Sequence, residues 1–85
     1  MTTNTQTTTS KPVQTFRSGS VEAAIWLNQN DNGARFYSLT VARSYATEDE
    51  GTKRWKRTQS FGSRDLLDLR RVVTSAEAFI AEQPL

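Results

Sequence analysis

Val21, Ala23, Ile25 and Leu27 alternate with Glu22, Ala24, Trp26 and Asn28, and the alternation runs straight into QNDNG at 29–33. Few features constrain a small chain more. A period of two places one set of side chains on a buried β-face and the other set on the opposite face. Asn32-Gly33 then supplies a dipeptide suited to positive φ, the signature of a hairpin turn. The chain is expected to return antiparallel, and residues 34–45 read as the returning strand.

The remaining elements fall on either side of this hairpin. Residues 13–17 read as a short edge strand, with Pro12 at its mouth where a missing N–H is tolerated. Gly19 permits a bend before the strand at 20–28. Residues 47–53 read as a second loop, acidic and centred on Gly51, and residues 54–61 as another strand, rich in Trp, Thr and Phe. Gly62 and Ser63 break that pattern. Ser63 is the expected N-cap of a helix over 64–82, with Asp65 suiting the dipole in its first turn.

Leu66, Leu69, Val73, Ala76 and Ile80 form one apolar stripe along that helix. Leu67, Val72 and Phe79 widen it. A single sheet covers only one stripe, so the extra width predicts a second buried face. Leu67, Val72 and Phe79 are therefore the candidate dimer-interface residues, covered by the same helix of another subunit. The expected fold class is α+β: four antiparallel strands followed by one C-terminal helix, β-β-β-β-α, assembled as a dimer.

Size supports self-association. A chain of 85 residues without cysteine hides only about 60% of the surface its unfolded form exposes, and no disulfide compensates. No histidine is present, which argues against a zinc site. No apolar run approaches the roughly 20 residues of a membrane span. The first ten residues include six threonines and only Met1 is apolar. They read as a disordered polar tail preceding one domain over 11–85, with no h-region of a signal peptide. The expected location is cytoplasmic, nucleoid-associated if bacterial.

The formal charge of +2 is unevenly spread. Residues 11–57 hold eight basic and five acidic side chains, a net of +3, whereas residues 64–85 hold three basic and four acidic ones, a net of −1. The cationic character belongs to the strands, where it is interleaved with rings. Arg35 and Tyr37 open the returning strand, Arg43 and Tyr45 close it, and Trp55, Lys56 and Arg57 lie on the next one. Rings stack unpaired bases and cations meet the phosphates between them. In an antiparallel pair Arg43 and Tyr45 are expected beside Trp55 and Arg57, giving one patch of two rings and two cations. Alternation lets only Arg57, not Lys56, share a face with Trp55.

One conflict is visible at this stage. Plain alternation puts Arg43 and Tyr45 on the face of Leu39 and Val41, which look like core. Either Arg43 lies beyond the helix footprint or a bulge near Ala42 reverses the parity. Trp26 points away from Ile25 and Leu27, towards a base or towards a packing contact. Arg70 or Arg71 is expected to pair with Asp68, Glu77 or a neighbouring subunit. Asp65 and Asp68 read as helix-end and surface acids. With neither His nor Cys, and no Gly-rich phosphate loop, the chain shows no nucleophile-and-base set. An enzyme, a metal site and a small-molecule cofactor are not expected.

The order of these features resembles the single-stranded-DNA-binding domain of the transcriptional coactivator positive cofactor four and its bacterial and phage homologues. The likeness spans about 13–82 and rests on FRSGSVEAAIW opening the sheet, on the strand ending ARSY, and on TQSF running into RDLLDLRRVV. It implies a dimer whose helices pack together beneath two curved sheets that form channels for single strands. It also implies nucleic-acid contacts at Arg35, Arg43, Tyr45 and Arg57. Ala46 and Tyr37 depart from the family pattern, where an aromatic and a lysine stand, and Trp55 is the candidate replacement ring. The expected function is binding of single-stranded DNA with little sequence preference, as a transcription or replication accessory. Tyr37, Tyr45, Trp55 and Trp26 are the stacking candidates, and Arg35, Arg43, Lys56 and Arg57 the phosphate contacts. An RNA-binding module and a protein-interaction adaptor are the alternatives.

Overall fold

The computed structural model describes Thr7–Thr8 and residues 11–84. Strand β3 (Val21–Gln29) forms because its period of two matches a pleated strand with one dry face: Val21, Ala23 and Ile25 are fully buried. The hairpin returns as β4 (Arg35–Asp49), paired from Val21↔Arg43 to Gln29↔Arg35. On the other edge of β3 lie β2 (Gln14–Ser18) and the two-residue β1 (Thr7–Thr8). Beyond β4 comes β5 (Thr52–Thr58), paired from Arg43↔Thr58 to Asp49↔Thr52. Four antiparallel strands, with β1 as a short addition, precede the helix α1 (Leu66–Ala81). The expected β-β-β-β-α order is the one found.

Several expectations change in detail, among them the last strand, which spans Thr52–Thr58 rather than 54–61. The returning strand runs to Asp49, so the acidic loop shrinks to Glu50-Gly51, both with positive φ (52° and 80°) as a tight two-residue turn needs. Within the expected tail over 1–10, Thr7–Thr8 pair with Gln29 and Asn28; the rest of that expectation lies outside the described residues. Ser63 is not the N-cap. It lies in a 3₁₀ turn (Ser63–Asp65) ahead of α1, and the Asp65 carboxylate accepts from the Gly62 N–H at 2.8 Å instead.

Leu69, Val72, Ala76 and Phe79 turn one face of α1 onto the sheet, mostly over β2 and β3. Val72 is 2% exposed and packs with Val21 and Ala23. Phe79 meets Phe16 edge-on at 6.3 Å. Both therefore pack within the chain's own core, which corrects their placement on a dimer face. The sequence spacing could not separate them from the stripe, because 72 and 79 sit only slightly to one side of 69 and 76 on a helical wheel. Leu67 does face outward, at 50% exposure.

A second anchor fixes the helix start. Ser18 Oγ donates to Asp68 Oδ1 at 2.7 Å, which ties α1 to the β2–β3 turn. Asp68 is thus occupied by a serine rather than by Arg70 or Arg71, and among the described residues neither arginine forms an ion pair. No helix among the described residues is long and apolar enough to cross a membrane.

The register divides β4 into two stretches. Residues 35–43 are paired with β3, whereas residues 43–49 are paired with β5. Residues 44–58 consequently project as a two-stranded arm past the end of β3. The longest extent of the molecule, 51 Å, is about the length of a fifteen-residue strand at ~3.3 Å per residue.

Candidate nucleic-acid interface

Pairing without a bulge decides which face each side chain takes. Odd-numbered residues of β4 share the helix side of the sheet with Val21, Ala23 and Ile25, because Val21 pairs with Arg43 and Ile25 with Leu39. Across the next ladder Tyr45 pairs with Lys56 and Thr47 with Arg54. Arg35, Tyr37, Arg43, Tyr45, Arg54 and Lys56 therefore lie on the helix side. Trp26, Trp55 and Arg57 lie on the opposite, helix-free side, where Trp55 pairs with Ala46 and Arg57 with Ser44.

The expected single patch is thereby split. Arg43 and Tyr45 are neighbours of Trp55 and Arg57 along the ladder, but the sheet stands between them. Register explains the difference: adjacent strands were correctly placed, yet a two-residue turn at Glu50-Gly51 sets the parity, and a looser acidic loop would have hidden it. The expectation that Arg57, and not Lys56, shares a face with Trp55 agrees with the ladder.

The parity conflict at Arg43 resolves without a bulge. Arg43 sits at the N-terminal rim of α1, just past the helix footprint. Its Nε donates to Ser60 O at 3.2 Å and lies 3.1 Å from Asp65 Oδ2, so the helix start holds the guanidinium in place. The same group lies 5.8 Å from the Tyr45 ring centroid, within cation–π range. Tyr45 then leads onto the arm, where Lys56 and Arg54 are exposed and form no ion pair among the described residues.

A strip thus runs Arg43, Tyr45, Lys56, Arg54 along the helix side of the arm. Arg54 stands in the basic stretch KRWKR at 53–57, and alternation together with the hairpin register, Thr47 opposite Arg54, brings it into the strip. Arg35 and Tyr37 share the face but not the strip. Tyr37 is eight residues from Tyr45, about 26 Å along the strand.

The opposite face is electrostatically quieter. Glu22 lies 3.2 Å from Arg57 Nη1 and 3.5 Å from Arg17 Nη2, so one carboxylate ties up two guanidiniums. Trp26 is half-buried and its Nε1 donates to Thr40 Oγ1 at 2.9 Å. That bond pins the indole to the sheet and favours the packing use over the stacking use. Trp55, by contrast, is exposed, with Lys53 Nζ 5.1 Å from its ring centroid.

Comparison with family models, with curated proteins and with solved structures gives no match for this chain.

Proposed function

We propose that the chain is a binding protein for single-stranded nucleic acid, with DNA as the expected ligand, and that the helix side of the arm is its primary contact surface. The observation that carries this reading is the strip itself: a tyrosine flanked by Arg43 along its own strand and by Lys56 across the ladder, followed by Arg54. Tyr45 offers a face to an unpaired base, and the three cations meet the phosphates on either side. Lys56 and Arg54 have no carboxylate to satisfy them among the described residues, so a polyanion gains their full attraction. The contacts are to backbone and ring faces, which implies little sequence preference and no chemical step. A role accessory to transcription or replication agrees with the resemblance of the sequence to positive cofactor four, which implies the same ligand.

Self-association belongs to the same proposal, on a different surface from the one the helical pattern indicated. A groove lined by Leu39, Val73, Ala76, Glu77, Ile80 and Ala81 runs between α1 and β4. Leu39 and Val73 remain 37% and 40% exposed there. Arg70 and Glu77 flank Val73 on that side of the helix, and two antiparallel copies of α1 crossing at Val73 would set each arginine against the other copy's glutamate. The flank is self-complementary in charge as well as apolar, so a second copy is the occupant that fits.

The deciding measurement is a titration of labelled poly-dT, poly-U and duplex DNA at two salt concentrations. Binding to poly-dT that weakens with salt is expected. Equal or tighter binding to poly-U would move the reading to an RNA-binding module. No binding to any of the three at low salt would replace it by a protein-interaction adaptor.

A further inference from the structure

Trp55 is the most exposed of the large apolar side chains among the described residues, at 66%. Its surroundings keep it that way. Its cross-strand partner is Ala46, and the next residue of β4 on that face is Ser44; neither is large enough to cover an indole. A tryptophan kept for packing would bury most of its surface, because each buried ring contributes through the area it removes from water. Here Lys53 Nζ stands 5.1 Å from the ring centroid, and about two thirds of the residue stays exposed among the described residues.

Charge on this face is modest but of the right sign. Arg17, Lys53 and Arg57 stand against Glu22 and Glu48, a net of +1. Glu22 is shared by Arg17 and Arg57, so the pair of guanidiniums keeps one uncompensated charge. On the helix side, Arg35, Arg43, Arg54 and Lys56 stand against Asp49 and Asp65, a net of +2. The two faces of one ribbon therefore carry the same combination, an accessible ring beside cations, at different strength.

We infer that the arm holds a second single strand on its helix-free face, with Trp55 stacking a base and Lys53 and Arg57 meeting phosphates, so that one chain carries two strands on opposite sides of a two-stranded ribbon. The ligand class rests on the nucleic-acid reading of the Tyr45 face; the second site itself rests on Trp55 and its neighbours. The lower net charge makes the Trp55 site the weaker one and the less sensitive to salt. The acidic tip, Glu48, Asp49 and Glu50, repels phosphate and keeps a strand from crossing from one face to the other around the turn.

Short oligothymidylates of about six nucleotides, in the size range of a single stacking platform, test this. Native mass spectrometry and calorimetry of the full chain are expected to show two per chain. A Trp55→Ala variant is expected to take one, and a Tyr45→Ala, Lys56→Ala double variant is also expected to take one. In a Trp26→Phe chain Trp55 is the sole indole, and its emission should fall at least twofold on saturation, with the fall retained when Tyr45 and Lys56 are removed. One oligonucleotide per chain with unchanged Trp55 emission overturns the second site and leaves the Tyr45 face standing. Absence of binding by every form overturns both. If the Trp26→Phe chain fails to fold, the stoichiometry of the unmodified chain against Trp55→Ala decides alone.

Discussion

Residues 21–25 and residues 52–57 belong to the same sheet, two strands apart, and meet opposite fates. Val21, Ala23 and Ile25 are fully buried, whereas every residue from 52 to 57 is exposed. Strand β3 has neighbours on both edges and α1 above it. Among the described residues, strand β5 has one neighbouring strand and no helix packed over it. A two-stranded ribbon alone is marginal in water, and this one persists because β4 is anchored in the sheet over residues 35–43 before it enters the arm. Folding free energy is thus concentrated in the helix-covered half, and the arm is free to carry rings and charges that a core could not accept. Among the described residues the side-chain ties between the two are Arg43 held by Asp65 and Ser60 at the root of the arm, and Arg57 reaching back to Glu22.

The sharpest way to break this division is to cut into the buried half. Ile25→Ala removes a side chain with no exposed surface and is expected to cost about 2–5 kcal/mol in urea unfolding. A cost comparable to that of a surface change would mean the core does not carry the fold. The next effect belongs to the arm and to binding. Tyr45→Ala is expected to weaken poly-dT binding by about 1–3 kcal/mol while leaving the far-ultraviolet circular dichroism of the chain unchanged. Unaltered affinity would remove the stacking role from the helix side.

Gly19 offers a smaller test at the boundary of the covered half. Its φ is +59°, and a Cβ built there would stand 2.7 Å from Asp68 Oδ2. The same carboxylate accepts from Ser18 through its other oxygen. Gly19→Ala is expected to lower stability by about 1–2 kcal/mol, through left-handed backbone strain and displacement of Asp68, read as a drop in the denaturation midpoint with binding per folded molecule unchanged.

The covered half was the legible part of the sequence. Alternation from Val21 to Leu27 and the Asn32-Gly33 turn are local signals, and they lead directly to the strand found at 21–29 and to the sheet-paired part, 35–43, of the strand that follows. The helix followed from its stripe. The arm was less legible because its meaning depends on parity, which no single residue encodes. A run of Thr, Glu, Asp and Glu has weak strand propensity and read as loop, yet it pairs up to Asp49↔Thr52. That shortened turn put Lys56 and Arg54 beside Tyr45 and moved Trp55 and Arg57 to the other side. The helix posed a similar problem of angle. Val72 and Phe79 looked like surplus apolar width, but the surplus is the Val73–Ile80 flank beside Leu39.

Lys56→Ala probes charge on the arm without touching a ring. Loss of one phosphate contact to a single strand is expected to lower the slope of log affinity against log salt by about 0.7. The midpoint of unfolding should stay in place, since Lys56 is exposed and makes no ion pair among the described residues. An unchanged slope with reduced affinity would assign Lys56 a packing role along Tyr45 instead.

Arg57→Ala carries a small expected effect on folding and the most pointed one for the comparison. Its guanidinium links the arm to β3 through Glu22. Exposed ion pairs typically contribute about 0–1 kcal/mol, and here Glu22 keeps Arg17 at 3.5 Å when Arg57 is lost. The carboxylate is not orphaned, so the cost is expected to stay within about 0.5 kcal/mol. Hydrogen exchange in β3 should be unaltered, and exchange in residues 52–57 should rise only slightly. A larger loss, or faster exchange in β3, would show that the arm braces the covered half through this contact. The division between a part that folds and a part that binds would then fail, because substitutions on the arm would alter affinity partly by unfolding the strand that supports it.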